Sequence, residues 1–172
     1  MSGHSHWSGI KRKKEISDKK RGQSFSKLLN AIAIAARVEP NPEFNPRLRT
    51  AVDKAKENQV PQESIERSIK KAKEGNLEEL LIEAYGSGGC AILIEAISNS
   101  RNRTMGDLKN IFAENSAKIA NPGSVLWAFE KTSEGWQTKF PQPIQETDLE
   151  KVKKLIEELE NHDDVQNVYA NI

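Results

Sequence analysis

The chain has 172 residues, 36% of them hydrophobic and 30% charged, which is enough length for one or two domains with a real core. Its single cysteine, Cys90, excludes an intrachain disulfide. No apolar run approaches the ~20 residues of a membrane helix, and the N-terminus lacks the apolar stretch of a secretory signal. A cytoplasmic protein is expected, with an organelle matrix as the alternative because the first residues are rich in Ser, Lys and Arg and poor in acids.

The net charge of +1 hides an asymmetry. Residues 1–73 hold 17 Lys and Arg against 8 Asp and Glu, whereas residues 74–172 hold 9 against 17. A basic half suits a polyanion, and an acidic half is solvated or meets protein.

The basic excess is concentrated at the front. Between Gly3 and Lys27 lie eight Lys or Arg residues and only two acids, Glu15 and Asp18, with Trp7 ahead of them. Close like charges repel, so residues 1–23 are expected as a flexible basic arm. From Ser24 the pattern turns helical, with Phe25, Leu28, Leu29, Ile32 and Ala36 on one stripe until Pro40 and Pro42. Asn45-Pro46 opens a second helix, with Leu48, Val52 and Ala55 facing inward. Pro61 starts a third, with Ile65, Ile69 and Ala72 inward and Gly75 as its stop. Residues 24–75 thus form a three-helix bundle.

After Gly75 the period changes to that of strands. Leu80–Tyr85 and Cys90–Ile97 read as a hairpin turned by Gly86-Ser-Gly-Gly89. Thr104 with Asp107 resembles a capping box for a helix carrying Leu108, Ile111 and Phe112. Ser124–Glu130 and Gly135–Phe140 read as a second hairpin, and Pro141 and Pro143 break the pattern. Thr147 with Glu150 is a second capping box, for a helix whose Val152, Leu155, Ile156 and Leu159 face the core. Val165–Tyr169 closes the chain as a strand. The order ββαββαβ over residues 76–172 predicts a ferredoxin-like α/β sandwich, making the whole chain α+β.

These residues resemble the YebC family, described as transcriptional regulators and, in the organelle branch, as translational activators. The matching stretches are Gly3-His-Ser-His-Trp7, Lys20-Arg-Gly22, Ala36-Arg37, Asn45-Pro-Arg-Leu48, Ala51-Val52, Ile65-Glu-Arg67, Tyr85-Gly-Ser-Gly-Gly89, Asn102-Arg-Thr104, Gly123-Ser-Val125 and Asp163-Asp-Val-Gln-Asn-Val-Tyr169. His6 departs from a usual Lys, and Asn115-Ser-Ala117 replaces a usual glycine-containing turn. Members of the family carry a further lobe between the strand near Trp127 and the last helix, so this chain resembles a short form.

Lys11, Arg12, Lys13, Lys14, Lys19, Lys20, Arg21 and Lys27 are the candidate phosphate contacts, which position a protein without reading sequence. Trp7 is a candidate for stacking on an unpaired base. His4 and His6 join the arm as partner contacts or solvated groups. Arg37, Arg47, Arg49 and Lys54 are candidates to extend the positive surface onto the bundle. A solvated tail and ordinary surface arginines are the plain alternatives.

Other chemistry finds little support. Gly86-Ser-Gly-Gly89 lacks the Gly-Lys-Ser/Thr ending of a phosphate loop. His4 and His6 have no second ligand pair at metal-site spacing, so no metal is expected. Cys90 lies in an apolar strand, and His162 follows a helix end, where the dipole favours it. No nucleophile–base or paired-carboxylate arrangement emerges, so neither catalysis nor a cofactor is expected. The acids Glu78, Glu79, Glu83, Glu157, Glu158, Glu160, Asp163 and Asp164 read as solvated faces or as a docking surface for a basic protein.

The sequence therefore predicts a non-catalytic, nucleic-acid-binding regulator of gene expression. The family resemblance implies a DNA-binding transcriptional regulator. The alternative is a translation factor whose arm enters structured rRNA on the ribosome, since no helix shows Arg, Asn or Gln aimed at a major groove. A protein-interaction module is a third reading. No membrane partner is expected.

Overall fold

Helix α1 spans Gly3–Ala36, α2 Pro46–Glu57 and α3 Gln62–Lys70. The computed structural model describes the backbone of residues 3–172 and the side chains of residues 14, 15 and 17–172. The chain divides into two compact units, one ending at Gly75 and the other spanning Asn76–Ile172.

The helix expected from Ser24 begins instead at Gly3. The basic stretch carries no proline, and Lys14 with Asp18 and Glu15 with Lys19 stand at the i, i+4 spacing that supports a helix despite the net repulsion. In the first unit Ile32, Ala35 and Ala36 of α1 pack with Leu48, Val52 and Ala55 of α2 and with Val60, Ile65 and Ala72. The small side chains allow close helix approach.

Asn45 organises the first interhelical turn. Its Oδ1 accepts from the Leu48 amide at 3.0 Å, capping α2, and its Nδ2 donates to the carbonyls of Ala35 and Glu39 at 2.8 and 2.7 Å. One buried amide thereby satisfies a helix start and a helix end together. Ser68 Oγ donates to the Leu29 carbonyl at 2.8 Å, tying α3 to α1. Helix α3 stops at Lys70, and turns carry the chain on to Gly75.

The second unit is built on strands β1 (Glu78–Tyr85), β2 (Ala91–Ser98), β3 (Lys118–Ile119) and β6 (Val165–Ala170), in the antiparallel order β3-β1-β2-β6. Strands β4 (Phe129–Thr132) and β5 (Gly135–Thr138) make a separate hairpin. Helices α4 (Arg101–Glu114) and α5 (Glu146–Glu160) complete it. The α+β layering predicted from the element order is present.

Strand β2 is central and covered on both faces, which explains its nearly continuous apolar run. Ile92, Ile94 and Ala96 face Leu108 and Phe112 of α4 and Val152, Leu155 and Leu159 of α5. The alternating residues Ala91 and Leu93 face Val125, Ala128 and Phe129. Helices therefore cover one face and the 120–140 segment the other. The β1–β2 turn uses Gly88 at φ +72°, where an added Cβ would also come within 2.7 Å of Ile144.

Three local expectations are corrected. Ser124–Glu130 is not one strand: a 3-10 turn at Leu126–Ala128 precedes β4. The cause is Glu83, a buried residue whose carboxylate accepts the Gly123 and Val125 amides and curls this segment. Thr104 is not a helix cap, because α4 already starts at Arg101 after Ser100, and Thr104 is fully buried. Thr147 likewise lies inside α5, which follows Gln145 without a side-chain cap and places Glu146 and Asp148 in its first turn, where the helix dipole favours acids.

Candidate nucleic-acid interface

Lys14, Lys19, Lys20 and Arg21 are all exposed, and Lys27 is half-buried. Lys20 and Lys27 stand seven residues apart and so share a face. The Arg21 guanidinium lies 5.3 Å from the centroid of the Phe25 ring. This cation–π contact stands where the basic segment passes into the apolar stripe of the bundle.

The side chains of His4, His6, Trp7, Lys11, Arg12 and Lys13 lie outside the described residues. Their backbone belongs to α1.

Arg47 and Arg49 are exposed in the first turn of α2, which contains no acid. Two cations at the positive end of a helix dipole are electrostatically unfavourable unless an anion is near. Phe44, three residues before Arg47, is 74% exposed. Arg37 has a different role. Its Nε donates to the Ala72 carbonyl at 2.9 Å and its Nη2 to the Gly75 carbonyl, so it binds the end of α1 to the turn after α3. Expected to extend the positive surface, it gives these two donors to the bundle.

The acidic residues divide in the same way. Glu83 and Asp164 are buried and serve the fold, correcting the solvated-face reading for those two. Asp164 accepts from Arg103 Nη2 at 2.7 Å and from the Thr104 hydroxyl at 2.6 Å. Burial pushes its carboxyl up, but these hydrogen bonds and the guanidinium charge outweigh it, leaving the group below the ordinary Asp range. Glu95, on the face of β2 opposite the helices, receives Trp136 Nε1 at 3.1 Å, Asn167 Nδ2 at 3.0 Å and the Tyr169 hydroxyl at 3.2 Å. Burial and then the Glu95 charge raise the Tyr169 phenol. No signal in the sequence marked these roles, because the partners are distant along the chain.

Among the described residues, His162 and Cys90 also belong to the fold. His162 Nδ1 accepts from the Asp164 amide at 3.1 Å, and its Nε2 faces Asp107 at 3.2 Å. Burial pushes the Cys90 thiol up, which keeps thiolate scarce near neutral pH. Among the described residues no group of three His, Cys, Asp or Glu side chains is placed to hold a metal, and no helix is long and apolar enough to cross a membrane.

Residues 5–75 match the family model described as the TACO1/YebC protein N-terminal domain. Residues 77–136 and 133–172 match the TACO1/YebC second and third domain. A probable transcriptional regulatory protein of Geotalea uraniireducens is 46% identical over 136 residues, covering 76% of this chain and 55% of the relative. The chain thus matches about half the length of that protein. A probable transcriptional regulatory protein of Natranaerobius thermophilus is 35% identical over 239 residues, covering 99% of this chain and 96% of the relative. That alignment is longer than the 172-residue chain, so the relative carries residues with no counterpart here. The crystal structure of the conserved hypothetical protein Aq1575 from Aquifex aeolicus superposes with a TM-score of 0.82 at 30% identity, covering 90% of each chain.

Proposed function

Since the chain belongs to the TACO1/YebC family, we propose that it is a non-catalytic regulator of gene expression that binds nucleic acid through the basic half of α1. The carrying observation is the exposure of Lys14, Lys19, Lys20 and Arg21 on one helix with only Glu15 and Asp18 to offset them. Such a helix gains free energy by releasing counterions from a phosphate backbone. Arg47 and Arg49 add cations on the same unit. The names of the relatives, probable transcriptional regulatory proteins, support a nucleic-acid partner of this kind.

The contacts available are of the type that positions a protein on phosphates rather than reads bases. DNA with little sequence preference is therefore the expected ligand, and structured RNA on the ribosome is the competing one. Gel-shift on promoter against random DNA, run beside ribosome co-sedimentation, tests this. Binding to DNA that is lost on removing residues 1–22 supports the reading. Ribosome association dependent on the same residues, without DNA binding, moves the function to translation. Binding to neither overturns the proposal.

A further inference from the structure

We propose that Trp127 and Phe140 form a stacking platform for unpaired bases of a single-stranded nucleic acid, with Lys139 placed to meet its phosphates. The inference rests on the nucleic-acid reading above but assigns a second contact site, in the Asn76–Ile172 unit.

Trp127 is 57% and Phe140 51% exposed, and neither belongs to the apolar clusters of that unit. Their centroids lie 6.0 Å apart with the planes inclined by 35°. Two large aromatic rings left side by side in water cost free energy that a ligand could recover. The Trp127 ring and the Phe140 backbone are held in place. Trp127 Nε1 donates to the Ser124 carbonyl at 2.8 Å. The Phe140 amide donates to the Ala128 carbonyl at 3.2 Å, and its own carbonyl accepts from Asn171 Nδ2 at 2.9 Å. An indole already held by its N–H loses little entropy on binding.

The chemistry around the rings favours bases over an apolar peptide. Lys139 Nζ lies 5.5 Å from the Phe140 centroid, joining a cation to the aromatic surface. With its N–H already bonded to the chain, Trp127 offers ring faces rather than a hydrogen-bond code, which suits sequence-tolerant stacking. Residues 118–143 carry three lysines and two glutamates. The acid-rich helix α5 packs on the opposite face of the sheet. Repulsion of a polyanion is therefore weaker on the aromatic side.

The test uses the full chain and fluorescence anisotropy, with a labelled oligouridylate of roughly a dozen nucleotides, within the usual site size, and a duplex of equal length. Trp127→Ala and Phe140→Ala should each weaken single-strand binding by about tenfold, leaving duplex affinity unchanged. Trp127→Phe keeps a ring and should retain most single-strand binding, and Phe140→Leu should behave as Phe140→Ala with less disturbance of the fold. Single-strand affinity unchanged in the alanine and leucine variants overturns the platform while leaving the basic-helix reading intact. A wild-type chain that binds neither probe overturns both. Concentration-dependent self-association abolished by Trp127→Ala would assign the surface to a second copy and also overturn it.

Discussion

Arg103 Nη2 meets Asp164 Oδ2 at 2.7 Å, joining the first turn of α4 to the chain entering β6 across 61 residues of sequence. The neighbouring Thr104 hydroxyl donates to the same oxygen and lies 2.6 Å from Ser98 Oγ. This group fixes one end of the sheet. Thr104→Val preserves shape but removes a hydrogen bond to a buried charge, and should cost about 1.5–3 kcal/mol in denaturant unfolding.

The same carboxylate sets an acid limit. Its native pKa is depressed, so the stabilisation is fully present above the unfolded value of about 3.9 and is lost as pH falls through the lower native value. Asp164→Asn should be less stable at neutral pH, and its deficit against wild type should shrink in unfolding curves recorded below pH about 4.

Glu83 offers a second test of a carboxylate serving the fold. Gln at this position keeps one acceptor and turns an amide donor toward the Gly123 or Val125 N–H. One buried backbone donor is left without a partner, so Glu83→Gln should lose about 1–3 kcal/mol. Faster amide exchange at Gly123 and Val125 should accompany the loss.

Ser116 adopts φ +54°, in the left-handed region that favours glycine. A side chain in that conformation costs about 1–2 kcal/mol, partly offset by the greater unfolded freedom of glycine. Ser116→Gly should therefore raise stability by about 0.5–1 kcal/mol, read from the denaturation midpoint. Gly135 is the converse case. At φ +124° an added Cβ would lie 2.6 Å from the Tyr169 hydroxyl, so Gly135→Ala should destabilise by about 1–3 kcal/mol.

Much of this architecture was legible in the sequence because it follows from local chemistry. Asn45-Pro46 marks a helix start through the cap of one and the fixed φ of the other, and the nearly all-apolar β2 announces burial on both faces. What sequence missed depends on distant partners. Glu83 looks like a surface acid until the Gly123 and Val125 amides are brought to it. Thr104 has the spacing of a cap, yet Asp164 and Ser98 claim its hydroxyl. Arg37 reads as one more cation, but the carbonyls of Ala72 and Gly75 fix its role. Strand β3, two residues long, is too short to show a period. For the candidate site, the exposed cations of α1 were visible as charge, whereas the pairing of Trp127 with Phe140 needed the fold between them.

The most direct test of the basic helix is the salt dependence of duplex binding. If about six cationic side chains meet phosphates, the logarithm of affinity should fall against the logarithm of salt concentration with a slope near −5. The quadruple variant K14Q/K19Q/K20Q/R21Q should flatten that slope by about three to four units. A salt-independent wild-type affinity, or a variant that binds as tightly and as steeply as wild type, would contradict the account.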